Sequence, residues 1–175
     1  GYRYFETFCP EKVMYEFGFG LSYSKFDIEI LKAETVTEES KVGGAWGSHG
    51  VSIDNGTCAG KEVQITICMK NTGDCRGKEV VQVYVQAPQG KLGKPARELK
   101  AFAKTKELAP GEKQKMTLHI PVKNLASYDD SGVAGHKSCY VSEAGAYVFH
   151  VGNSVRNTKI ADVDGKGAYI VKELC

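Results

Sequence analysis

The stretch KEVQITICMKNTGDCRGKEVVQVYV, Lys61 to Val85, decides the fold class. Val63, Ile65, Ile67 and Met69 fall on every second position, and Val81, Val83 and Val85 repeat the pattern. A period of two is that of a β-strand, so one face can be buried while Gln64, Thr66, Gln82 and Tyr84 meet a different environment. The joining residues, Asn71-Thr72-Gly73-Asp74-Cys75-Arg76-Gly77, supply glycines for positive φ and side chains that bond their own backbone. The two segments are therefore expected to form an antiparallel hairpin.

The same pattern recurs on both sides. Upstream, Ser24 to Val36 alternates through Phe26, Ile28 and Ile30. Downstream, Arg97 to Leu108 places Leu99, Ala101 and Ala103 opposite Lys100, Phe102 and Lys104, and Ala109-Pro110-Gly111-Glu112 reads as a turn. Met116, Leu118 and Ile120 mark a further strand, as do Ser138–Val141, Ala146–Val151 and Ala168–Lys172, with Glu143-Ala144-Gly145 expected as a hairpin turn. Lys123 to Gly135 reads as irregular or as a short helical turn. Short strands at roughly 8–12-residue spacing, without a long helical period, predict an all-β fold, a two-sheet antiparallel sandwich.

The remaining segments fit that plan less well. Gly1 to Tyr15 carries Tyr2, Tyr4, Phe5, Phe8 and Tyr15 with no period that would let it fold alone, so residues 1–23 are expected to be an irregular aromatic arm. It either clamps the module to a neighbouring domain or covers its own core. Residues 37–60 interrupt the strands with a glycine-rich insertion holding the only tryptophan, Trp46, whose ring could stack on a sugar. Residues 158–175 extend beyond the predicted sandwich, 24–157.

Composition narrows the function. The 175 residues carry 23 Lys and Arg against 21 Asp and Glu, net +2, too balanced for a nucleic-acid footprint. No apolar run approaches the ~20 residues that span a bilayer, so no membrane partner is expected. Six scattered cysteines without CxxC pairs fit free thiols, and a cytoplasmic location is the expectation. No Gly-x-Ser-x-Gly elbow or phosphate-binding loop occurs, and the four histidines do not converge on a metal-ligand spacing. Neither a metal nor any other cofactor is expected. The pairs Asp129/Asp130 and Asp162/Asp164 read as solvated turn residues, and His119 and His150 as residues of a sheet face.

Four ordered blocks carry a resemblance: GYRYFETF with EFGFGLSYSKF, the Gln64–Val85 core, KPARELKAFAKTKELAPGE (Lys94 to Glu112) and AGAYVFHVGNSVRN (Ala144 to Asn157). Together they resemble the C-terminal-type fibronectin type III-like (immunoglobulin-like) domain of glycoside hydrolase family 3, the β-glucosidases and β-xylosidases. The resemblance implies a fragment of a longer polypeptide, its arm coming from a preceding α/β domain and further sequence following Cys175. Glycoside hydrolysis uses two carboxyl groups, and the family's nucleophile lies in a Ser-Asp-Trp-like motif. Trp46 here follows Gly44-Ala45, so no catalytic residue is expected within this chain.

The resemblance further implies that Phe17, Phe19, Leu21 and Tyr23 of the arm, with Lys94, Pro95, Arg97, Leu99 and Phe102, dock on the catalytic domains of the same polypeptide. The parent's substrate would be a β-glucoside or oligosaccharide. The other reading is a carbohydrate-binding β-sandwich module built around Trp46.

Overall fold

A computed structural model describes residues 1–37 and 60–172. Trp46 and its proposed sugar contact, with most of the glycine-rich insertion, lie outside the described residues. Strands β1 (Phe26–Thr37), β2 (Lys61–Asn71) and β5 (Lys113–Pro121) form one antiparallel sheet in the order β1-β2-β5. Strands β3 (Val80–Gln86), β4 (Glu98–Lys104), β8 (Gly145–Gly152), β9 (Thr158–Ala161) and β10 (Tyr169–Val171) form the second, and β6 (Ser127–Asp129) pairs with β7 (Cys139–Val141) in a small ribbon. This is the two-sheet antiparallel sandwich that the alternating pattern predicts, and its fibronectin type III-like character is what the resemblance implies.

The period of two does what it should in β2. Val63, Ile65, Ile67 and Met69 are fully buried against Val83, Val85, Phe149 and Val151 of the other sheet. Burying each side chain is worth about 1.5–3 kcal/mol before chain entropy is set against it. In β1 the alternation changes phase at a bulge between Ile30 and Lys32, so Ile28 and Ala33 both face the core and Leu31 turns out.

The link between β2 and β3 corrects the sequence reading: it is a crossover and not a hairpin. Both strands are central, β2 between β1 and β5, β3 between β4 and β8, so neither has a free edge for the other. Buried Asn71 anchors the crossing. Its Nδ2 donates to the carbonyls of Cys75 (2.8 Å) and Leu108 (2.9 Å), and its Oδ1 accepts from the Ser24 hydroxyl (2.6 Å) and Gly73 N–H (3.0 Å). Turn composition reveals that the chain reverses, not which sheet receives it. The Glu143-Ala144-Gly145 link is corrected for the same reason, since β7 pairs with β6 while β8 pairs with β3.

Residues 158–172 join the same body. β9 pairs with Phe149–Gly152 and β10 with Gly145–Tyr147, end to end along one edge of β8, and Ala161, Val163 and Val171 enter the core. Asp164, at φ 54°, clasps the end of β1 by accepting from the Thr35 N–H (2.9 Å) and hydroxyl (2.7 Å). Its carboxyl feels burial, which raises the pKa, yet the Thr35 bonds outweigh it and hold the group below its usual range. Asp164 remains exposed, whereas Asp129 is buried, accepting the N–H groups of Gly132, Val133 and Ala134 at 2.7–3.0 Å. Both are structural clasps, and for buried Asp129 this corrects the reading as a solvated turn residue. Asp129 looks like a turn residue in sequence because it does cap a turn; burial adds the rest.

Candidate docking surface on the N-terminal arm

Within the arm, Tyr2–Phe8 forms one short helix, α1. Seven residues are too few for a stable isolated helix, and none of them is buried. Its fixed points come from the sandwich. The Leu99 N–H donates to the Tyr2 hydroxyl (2.8 Å), the Ala96 N–H to Thr7 Oγ1 (2.9 Å), and Arg3 pairs with Glu98 (2.7 Å). On the far side Arg156 donates to both Glu6 carboxylate oxygens (3.0 and 3.1 Å) and to the Pro10 carbonyl (2.8 Å). Hydrogen bonding to Glu6 keeps the Arg156 guanidinium firmly charged.

The arm then turns at Glu16-Phe17-Gly18-Phe19. The Phe19 N–H closes the turn on the Glu16 carbonyl (3.0 Å), with Gly18 at φ 88°. A side chain at Gly18 would meet Gln82 at 2.7 Å, so the turn can lie this close to β3 only with glycine there. The Val155 N–H donates to the Phe17 carbonyl (2.9 Å) and the Ser154 hydroxyl to Glu16 Oε1 (3.1 Å).

Beneath this strap lies the outer face of β3 and β8. The Tyr2 ring stacks on Phe17 at 4.5 Å and meets Tyr84 edge-on at 6.1 Å. Tyr84, fully buried, donates its hydroxyl to Gln82 Oε1, and Gln82 Nε2 donates to the Asn153 carbonyl (2.8 Å). Burial pushes the Tyr84 phenol well above its ordinary range. His150, paired across the strands with Tyr84, is also buried, and burial, helped by the charge of Arg97, lowers its pKa to about 4.

Apart from Tyr2, the arm's polar groups thus point in and its rings point out. Tyr4, Phe8, Met14, Tyr15, Leu21 and Tyr23 are exposed, the last two at 95% and 99%, with Phe17 and Phe19 about half exposed. Rings gather on this surface: Tyr4 lies 5.2 Å from Phe8 and Tyr15 5.0 Å from Phe19. Large exposed apolar patches of this kind mark interaction sites.

The sequence-derived docking residues divide in two. Phe17, Phe19, Leu21, Tyr23 and Phe102 present side chains to solvent. Lys94 and Arg97 turn inward instead. Lys94 is buried with its ammonium donating to Ser127 Oγ, and burial lowers its pKa against the opposing pull of Glu143. Arg97 donates to the Val155 carbonyl and to Thr158 Oγ1 (3.2 Å). Pro95 and Leu99, both partly buried, belong to the segment that receives α1. The cause is that the 94–99 segment is the arm's socket, so its charges are already engaged within the chain. Sequence reasoning left out the anchors Tyr2, Glu6 and Arg156, whose contacts span up to 150 positions and leave no local signal.

Among the described residues no group of three or more His, Cys, Asp and Glu side chains converges as a metal site, and no helix is long and apolar enough to cross a membrane. Cys9, Cys68, Cys75 and Cys139 are unpaired.

Comparison with known proteins places this architecture. A family model, the fibronectin type III-like domain, matches residues 79–155. A β-glucosidase of Ruminococcus albus is 44% identical over 91% of the chain, and the match spans 14% of that protein. The structure of a β-glucosidase from Paenibacillus barengoltzii aligns with TM-score 0.84 and 50% identity over 99% of the chain and 17% of its own. That of β-glucosidase 3B from Thermotoga neapolitana in complex with α-D-glucose aligns with TM-score 0.71 and 39% identity over the whole chain and 19% of its own. The chain is therefore less than a fifth of the length of these relatives. It belongs to the fibronectin type III-like domains carried by glycoside hydrolase family 3 β-glucosidases.

Proposed function

We propose that this chain is a non-catalytic structural module of a family 3 β-glucosidase-like enzyme, docked on the catalytic domains of the same polypeptide through its aromatic arm. The observation that carries this reading is the arm's inverted polarity: hydrogen bonds fix it to the sandwich while Leu21, Tyr23 and the neighbouring rings face outward. A surface held rigid and left apolar is suited to a partner that stays in place, because little side-chain freedom is lost on contact. The catalytic domains supply such a partner, and their substrate would be a β-glucoside or an oligosaccharide. The module's task is mechanical: to cover apolar surface on the catalytic body and hold its domains in register.

The reading is tested by assaying the purified 175 residues with an aryl β-glucoside. No turnover is expected. Steady release of the aryl group in proportion to chain concentration would overturn the non-catalytic assignment.

A further inference from the structure

A cleft of about 370 Å³ opens where the arm leaves β3, between the Glu16–Ser22 stretch and the loop formed by residues 153–157. Its size falls within the roughly 300–1,000 Å³ of small-molecule sites. Glu16, Phe19, Lys78, Glu79, Asn153 and Asn157 supply the chemistry of its walls.

The walls are fixed before any ligand arrives. The Glu79 backbone is held twice by Thr105, through its N–H to the hydroxyl (3.0 Å) and its carbonyl to the Thr105 N–H (2.9 Å), and Oε1 accepts from the Val80 N–H. Asn157 donates its backbone N–H to Ser154 Oγ (3.0 Å) and its side-chain amide to Asn153 Oδ1 (2.8 Å). The closed turn at Gly18 sets Glu16 and Phe19 on the opposite wall.

After these bonds the cleft retains hydrogen-bonding capacity. Among the described residues, the Asn153 amide protons, Asn157 Oδ1, one oxygen each of Glu16 and Glu79, and the Lys78 ammonium have no hydrogen-bond or ion-pair partner. Carboxylates, amides and an ammonium side by side offer donors and acceptors to hydroxyl groups, and the half-exposed Phe19 ring offers an apolar face to C–H groups. Two carboxylates beside one ammonium disfavour an anion. Lys78 and the amides leave the site short of the oxygen cage that a hard cation requires. The ligand that uses every group is neutral and polyhydroxylated.

We propose that this cleft is a saccharide-binding site on the module, taking a mono- or disaccharide with one ring face over Phe19 and its hydroxyls on Lys78, Glu79, Asn153 and Asn157. The site is separate from Trp46; it shares Phe19 with the docking surface of the arm, so that ring serves one occupant at a time and the sugar is expected on the chain free of its catalytic domains.

The test is a ¹H–¹⁵N NMR titration of the chain with glucose and with cellobiose. Saturable shifts are expected at the Asn153 and Asn157 side-chain amides and around Lys78, complete by roughly 0.1 M sugar, where a site of only ~1 mM affinity is full. Lys78→Ala removes an exposed side chain and should weaken binding roughly tenfold, as loss of a charge-assisted hydrogen bond does; Glu79→Gln serves as a second variant. Absence of saturable shifts at these amides, shifts confined to another surface, or affinity unchanged in both variants would overturn the proposal.

Discussion

The inter-sheet core and the N-terminal arm are both rich in large apolar side chains, yet they place them in opposite ways. In the core, Val63, Ile65, Ile67 and Phe149 are fully buried, and the polar atoms of their strands are engaged in sheet ladders. In the arm, Tyr2, Glu6, Thr7 and Glu16 point polar groups at the sandwich while Leu21 and Tyr23 stand in solvent. The core stabilises itself by removing apolar area from water. The arm is held by hydrogen bonds worth about 1 kcal/mol each, and its apolar area remains available to a partner.

This contrast can be broken first in the core. Phe149→Ala should lower stability by about 3–5 kcal/mol, the range for emptying a buried aromatic site, measured as a fall in the urea midpoint of the chain. An effect no larger than that of an arm substitution would erase the distinction.

Acid probes the face that the arm covers. His150 is held neutral with a pKa near 4, whereas in the unfolded chain it titrates near 6.5. The unfolded state therefore takes up the proton first. Stability from this group is fully present above about 6.5, falls as pH drops toward 4, and levels off below. Urea midpoints measured across that window should decline for the native sequence and decline less for His150→Gln. Equal slopes would show that the histidine is not sequestered.

A smaller effect sharpens the comparison from the arm's side. Tyr2→Phe deletes the hydroxyl that receives the Leu99 N–H while keeping the ring on Phe17. It should cost about 1 kcal/mol and speed hydrogen exchange at Leu99, leaving core amides such as Ile65 protected. Exchange that rises equally in the core would mean that arm and sandwich open as one unit.

The same division governs how far the amino-acid order could be read. β2 and β5 were legible because their faces differ, apolar toward the core and polar toward water, and the alternation of Val63 to Met69 is a direct image of that. Pairing was not. Asn71 joins residues at both ends of a crossing, and its four side-chain bonds reach from Ser24 to Leu108. β9, Thr158–Ala161, is too short to show a period. The arm's aromatic excess was visible, whereas the inward turn of Lys94 and Arg97 was not, since charge in a β-type block ordinarily signals a solvated face. Only tertiary contact, with Ser127 for one and Val155 for the other, turns these cations inward.

The most direct measurement compares one double variant, Leu21→Ser with Tyr23→Ser, in two settings. In the 175-residue chain both side chains are already in solvent, so the unfolding free energy should change by less than about 0.5 kcal/mol. In the longer polypeptide bearing the catalytic domains the same pair should lower stability by roughly 3–5 kcal/mol, the loss of two buried apolar side chains. Equal, small shifts in both settings would contradict the docking role of the arm.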